Sequence, residues 1–154
     1  MDLFLLRHGI AEERVDGLDH PERALTGEGR VRTAAVARSL LKRGVQVDLL
    51  LSSPFRRALE TAQIAMDAGL ASELRVEAAL EPGGPVDALV RDLSGRVCLV
   101  GHEPDLSSLA ARLLQLPPAR LSLKKAGLLQ LRRQPFGWEL RALLRPGLLL
   151  DPSA

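Results

Sequence analysis

The sequence predicts an α/β fold, a three-layer sandwich whose mostly parallel central sheet carries helices on both faces. Two observations predict it. Short apolar runs of strand length alternate with longer segments whose apolar residues recur at helical spacing, and parallel neighbours need such a crossover between them. Several of those runs also end directly in charged, imidazole or glycine residues. Strands do this where they emerge at the carboxyl edge of a sheet, the edge at which open α/β sheets bind ligands.

The elements follow in order. Leu3 to Leu6 is a buried strand that runs into Arg7-His8-Gly9. The polar stretch Ile10 to Thr26, with Glu12, Glu13, Asp16, Asp19 and His20-Pro21, is too broken for a core element and is expected to be a loop near the strand end. Thr26 suits an N-cap, and Ala34, Val36, Ala37, Leu40 and Leu41 gather on one side of a helix over Gly27 to Arg43 that Gly44 stops. Val47 to Leu51 is the second strand, running into Ser52-Ser53-Pro54, and a helix over Phe55 to Ala68 follows, stopped by Gly69. Its first turn carries Arg56 and Arg57, which oppose the helix dipole and become sensible there if an anion binds.

Leu74 to Leu80 is a weaker third strand ending at Glu81-Pro82-Gly83-Gly84, and a short helix spans Val86 to Leu93. Arg96 to Val100 is the clearest strand and ends in Gly101-His102-Glu103-Pro104-Asp105. A helix then starts near Asp105 and is terminated by Pro117-Pro118. Leu121 to Leu123, Leu128 to Arg132 and Trp138 to Leu144 read as short strands, the last two a hairpin around Gln134 to Gly137, while the tail Asp151 to Ala154 is expected to be loose.

A chain of 154 residues suits one domain, 1–154, with a real core. Its 46% hydrophobic and 26% charged composition is that of a soluble globular protein. No apolar run approaches the roughly 20 residues of a membrane helix, and Asp2 and Arg7 come too early for a signal peptide, so a cytoplasmic protein without a membrane partner is expected. With 3% aromatic residues there is no stacking platform for nucleic acid. The single cysteine, Cys98, lies inside an apolar strand and reads as core. Net charge is +2, unevenly placed: residues 120–154 hold 7 Lys and Arg against 2 Asp and Glu, a bias that favours an acidic partner.

In a parallel sheet all carboxyl ends face one way, so Arg7-His8, Ser53 with Arg57 beyond it, Glu81 and His102 are expected at one edge. Arginines match phosphoryl oxygens bidentately, and fixed cations stabilise the charge of a phosphoryl-transfer transition state. A neutral imidazole can attack phosphorus while a second holds the oxygens, and a carboxylic acid such as Glu81 could protonate the leaving group if its pKa is raised. The set lacks metal-ligand spacing, and neither metal nor cofactor is expected. His20, before a proline in the loop, reads as a loop residue.

Leu6-Arg7-His8-Gly9 resembles the RHG signature of the histidine phosphatase superfamily, the phosphoglycerate-mutase-like proteins. Leu25-Thr26-Gly27-Glu28-Gly29, Ser53-Pro54-Phe55-Arg56-Arg57-Ala58 with Thr61-Ala62, and Val100-Gly101-His102-Glu103-Pro104 follow the same plan in the same order. The length, the Ser-Pro-Phe segment and the Leu80 to Gly84 turn look most like the SixA-type protein phosphohistidine phosphatases.

The resemblance implies that His8 is the phosphorylated nucleophile and that Arg7, Arg57 and His102 complete the phosphate pocket. Arg57 is chosen over Arg56 because the family's arginine immediately precedes the alanine, here Ala58. Thr26 and Ser53 become supporting hydroxyls. Mutases and broad phosphatases of the family carry a proton-donating glutamate in a longer insertion that also covers the site. Here the span from Arg57 to Glu81 leaves no room for such a lid. The resemblance therefore implies a phosphohistidine-bearing protein as substrate, with a small phosphomonoester or a non-catalytic phosphoryl-binding role as alternatives.

Overall fold

The computed structural model describes residues 1–150, so the expectation for Asp151 to Ala154 falls outside them. Six strands form one sheet: β1 (Asp2–Arg7), β2 (Leu49–Ser52), β3 (Leu74–Val76), β4 (Arg96–Gly101), β5 (Leu128–Gln134) and β6 (Gly137–Leu144), in the order β3-β2-β4-β1-β5-β6. The first four run parallel, and β5 joins β1 antiparallel before turning back as β6. The strands are linked or flanked by α1 (Gly27–Lys42), α2 (Arg56–Ala68), α3 (Val86–Arg91), α4 (Asp105–Leu113) and α5 (Pro146–Leu149).

Side-chain alternation divides the core into two layers. Phe4, Leu6, Leu50, Cys98 and Val100 face α1, α2 and α5 through Val36, Leu40, Ala62 and Leu149. Leu3, Leu5, Leu51, Val97 and Leu99 face α3 and α4 through Val90, Leu106 and Leu109. A one-residue slip of β1 would exchange its two faces, so burial on both sides fixes the register. Each fully buried Leu or Phe adds about 1.5–3 kcal/mol. The same register decides where the polar residues after the strands arrive.

Three segments depart from expectation. The strand expected over Leu74 to Leu80 stops at Val76, because β3 is an edge strand whose last residue is exposed. Ala78–Leu80 forms a 3-10 turn capped by the Glu77 carboxylate, which accepts the Ala79 N–H, and the turn folds Leu80 into the core. Leu121 to Leu123 is not a strand. Leu123 is buried, but its N–H goes to the Glu103 carboxylate and its carbonyl to Arg7, so side chains replace a ladder. The last helix of the parallel part ends at Leu113, ahead of the proline pair, and Gln115 takes a φ of 56°.

Candidate active site

Residue pairing between β1 and β4 sets the site. Arg7 stands opposite Gly101, so His8 and His102, each one residue further on, emerge side by side with ring centroids 5.3 Å apart. On the other side of β4, Ser52 pairs with Val100, which places Ser53 and then the first turn of α2 against His102. The Ser53 hydroxyl lies 2.8 Å from His102 Nε2 and also accepts the Phe55 N–H. Ser53 is fully buried and its hydroxyl proton meets no other acceptor among the described residues, so that proton goes to His102 Nε2.

His8 is held from both sides. Its Nδ1 is 2.8 Å from the Gly9 carbonyl, which can only accept, so Nδ1 carries the proton and Nε2 keeps its lone pair. Arg57 Nε lies 3.3 Å from that Nε2. Arg57 is only 2% exposed, its guanidinium stacks 5.1 Å from the Phe55 ring, and its Nη2 is 3.0 Å from the Asp19 carboxylate. Arg56 points elsewhere, to Glu60 at 2.9 Å. Gly9 is tied in through its N–H to Thr61 Oγ1, which in turn donates to the Arg57 carbonyl. A β-carbon on Gly9 would stand 2.2 Å from Thr33 Oγ1 and one on Gly29 2.0 Å from the Ile10 carbonyl, so both glycines permit α1 to press against the loop after His8.

Around these groups is a cavity of about 210 Å³, room for a phosphoryl group and a few waters. Arg7, His8, Arg57 and His102 all line it, joined by Arg14, Arg23 and Lys125. Asp19 and Glu103 are the carboxylates of its wall. Arg7 Nε, Arg57 Nη1 and His102 Nδ1 are buried without hydrogen-bond partners. With the Ser53 hydroxyl donating to Nε2, His102 Nδ1 carries hydrogen, so all three are donors in need of an acceptor. An oxyanion supplies it.

Ser53 therefore supports His102, whereas Thr26 lies off the cavity. Thr26 caps α1 by accepting the Gly29 N–H at 2.9 Å and touches the Ile10 carbonyl at 3.4 Å. Glu81 is exposed and does not line the cavity, although its neighbour Pro82 does. The early end of β3 and the turn that buries Leu80 redirect the chain there. His20 is an exposed loop residue whose Nδ1 accepts the Glu22 N–H. Asp19, Arg23 and Glu103 were not singled out by their sequence pattern. The one local signal for the first two is their i, i+4 spacing, which pairs them at 2.8 Å.

Burial is the main force on both imidazoles. It lowers His8 from 6.5 to about 3, aided by repulsion from His102, Arg57 and Arg7 and opposed by the bond to Gly9. It lowers His102 to about 4, with Arg57 adding and Asp19 opposing. Both rings are thus neutral at pH 7. Burial also works against ionisation of Asp19, but the Arg23 hydrogen bond and the charges of Arg57, Arg23 and Arg14 outweigh it and hold that carboxyl below its usual range. Among the described residues no group of three or more His, Cys, Asp or Glu is placed to hold a metal ion. Cys98 is buried, and burial pushes its thiol up, away from nucleophilic use. No helix among the described residues is long and apolar enough to cross a membrane.

The two depressed imidazoles have a consequence for stability. The unfolded chain takes up protons at them below about pH 6.5 while the folded chain does not, so they leave stability unchanged above that pH and lower it as pH falls toward about 4 for His102 and about 3 for His8. Each unit of depression is worth about 1.4 kcal/mol. The Tm is therefore expected to fall steadily from pH 7 to pH 4.5, and His102→Asn should flatten part of that slope. A Tm independent of pH over this range would contradict neutral, buried rings.

The profile of the histidine phosphatase superfamily (branch 1) matches residues 3–82. An uncharacterised protein of Picosynechococcus sp. is 36% identical over 140 residues, covering 86% of this chain and 85% of its own. Among solved structures, the protein histidine phosphatase SixA in complex with tungstate superposes with a TM-score of 0.82 at 24% identity, over 97% of this chain and 100% of that one. A phosphoserine phosphatase of Entamoeba histolytica bound to 3-phosphoglyceric acid gives 0.73 at 19% identity, over 97% and 99%. The three-layer α/β sandwich is accordingly the fold of these proteins, and the chain belongs to the histidine phosphatase superfamily, branch 1.

Proposed function

We propose that this metal-independent phosphatase removes phosphate from phosphohistidine on a partner protein through a phosphoenzyme on His8. The observation that carries the reading is the state of the groups around the His8 lone pair: a neutral nucleophile, buried cations and no carboxyl poised to give up a proton. Asp19 is held ionised by arginines, and the Glu103 oxygens accept the Ser107 and Leu123 N–H groups. An alkoxide leaving group needs an acid. A phosphorylated imidazole needs less, because it can take a proton on its second ring nitrogen and leave neutral.

His8 Nε2 attacks phosphorus and the substrate P–N bond breaks. The Gly9 carbonyl, already bonded to Nδ1–H, stabilises the positive charge that the phosphorylated ring acquires. Arg7, Arg57 and His102 hold the equatorial oxygens as charge spreads over them. Water then attacks the phosphoenzyme, the His8–phosphorus bond breaks, both water protons leave on dihydrogen phosphate, and Nε2 regains its lone pair. The protein named SixA among the structural relatives carries an oxyanion mimic, tungstate, which fits an oxyanion in this cavity. The small volume of the cavity and its place at the sheet edge suit a phosphoryl group presented from another surface.

The test compares turnover of a phosphohistidine-bearing protein domain with a panel of sugar phosphates. The phosphoprotein is expected to be preferred by at least about a hundredfold in kcat/KM, near 2.7 kcal/mol of transition-state discrimination. Sugar phosphates turned over faster would replace the reading with a small-molecule phosphomonoesterase. The presence of 3-phosphoglyceric acid in the Entamoeba relative is the observation that favours that second reading.

A further inference from the structure

A second, larger groove of about 770 Å³ opens beside the catalytic cavity and shares two of its wall residues, Arg7 and Lys125. Three separate parts of the chain build it. Arg32 comes from α1, Lys124 and Lys125 from the segment before β5, and Arg145 from the residue ahead of α5, with Glu28 the one carboxylate. Among the described residues, none of Arg32, Lys124, Lys125 and Arg145 forms an ion pair. By contrast, Arg112 is matched by Asp87 at 2.7 Å and Arg132 by Asp2 at 2.7 Å. Ile10, Pro146 and Leu148 supply apolar lining, and Leu148 is 78% exposed.

We propose that this groove docks an acidic segment of the phosphoprotein substrate, one that carries an apolar residue among its carboxylates, and so delivers the phosphohistidine to His8. The inference rests on the phosphohistidine reading above. Unmatched cations placed along a groove lower the cost of bringing carboxylates to it and speed encounter, while the fixed geometry of three elements selects register. An exposed leucine beside such cations gains by covering its surface with an apolar side chain. The groove is several times the volume of the cavity it adjoins, so it accommodates side chains of a polypeptide beyond the phosphoryl group itself.

The test uses two phosphohistidine peptides that share one leucine and differ only in flanking residues, Glu in one and Gln in the other. It compares the wild type with the triple variant Arg32→Gln, Lys124→Gln, Arg145→Gln, which leaves the shared wall residues intact and whose folding is checked by circular dichroism and Tm. The acidic peptide is expected to be preferred about tenfold in kcat/KM at low salt, as a few partly exposed charge contacts allow. The preference should lie in KM, shrink as salt is raised and disappear in the triple variant. Equal turnover of the two peptides by the wild type, or a preference that survives the triple substitution, overturns the proposal.

If neither peptide is hydrolysed while an aryl phosphate is, the phosphohistidine reading fails, and the groove is judged separately by fluorescence anisotropy with the unphosphorylated acidic peptide. Binding that the triple substitution weakens about tenfold supports the docking groove. No binding, or binding the substitution does not change, overturns it.

Discussion

His8→Ala is expected to lose at least about a thousandfold in kcat on an activated aryl phosphate, because it deletes the atom that forms the covalent intermediate of the proposed mechanism. An aryl phosphate has a leaving group good enough to need no acid, so the loss reports attack on phosphorus alone. Rapid quench of the wild type with labelled substrate should trap phosphate on the protein that is labile in acid and stable in base, and the variant should trap none. Because His8 Nδ1 also satisfies the Gly9 carbonyl, His8→Asn, which keeps a side-chain donor, separates loss of the nucleophile from loss of that contact. Activity in His8→Ala equal to the wild type would sink the mechanism outright. Retained aryl phosphatase activity with no trapped phosphate would point instead to direct attack by water.

In the proposed mechanism, the choice of an imidazole nucleophile is coupled to its surroundings. A histidine in water is half protonated near pH 6.5, and a protonated ring cannot attack. Burial of His8 between two other cationic or ionisable groups, Arg57 and His102, removes that competition. The same cations that discourage a proton on the ring would attract a phosphoryl group, so in that mechanism one arrangement prepares the nucleophile and binds its target. Arg57 is itself among the most buried charged groups of the protein.

Much of this was legible from residue order. The strands β1, β2 and β4 declare themselves by continuous apolar runs, α1 and α2 by periodicity, and the parallel arrangement then puts Arg7-His8, Ser53 and Gly101-His102 at one edge. What stayed hidden depends on contacts made far along the chain. Leu121 to Leu123 has the composition of a strand, but Leu123 meets Glu103 and Arg7 instead of a neighbouring strand, and no local pattern distinguishes the two. Glu81 looked like a fourth strand-end group because Leu80 is apolar, yet Leu80 is buried by a 3-10 turn and Glu81 is left exposed. Asp19 sits in a polar loop among other carboxylates. Its difference from Glu12 or Asp16 is the pair with Arg57, which is 38 residues away.

That pair carries the second large effect. Arg57→Ala should lower kcat/KM by about a hundred- to a thousandfold, the range for removing one buried donor that meets developing charge. It also removes the group that faces the His8 lone pair and strips a stacking partner from Phe55. Arg57→Lys keeps the charge but loses the planar fork that meets Asp19, His8 and an oxyanion together, so it should recover only part of the loss. Asp19→Asn isolates the carboxylate's share. If Asp19 acts by holding the guanidinium at 3.0 Å, the single substitution should cost about tenfold, and nothing further in an Arg57→Ala background, since contacting residues of one unit do not add. If Asp19 instead gave its proton to the leaving group, its removal would cost as much again in that background and would steepen the dependence on leaving-group pKa. The ionised state that Arg23, Arg57 and Arg14 impose on Asp19 favours the first outcome: a carboxylate held by arginines can orient a cation but has no proton to donate.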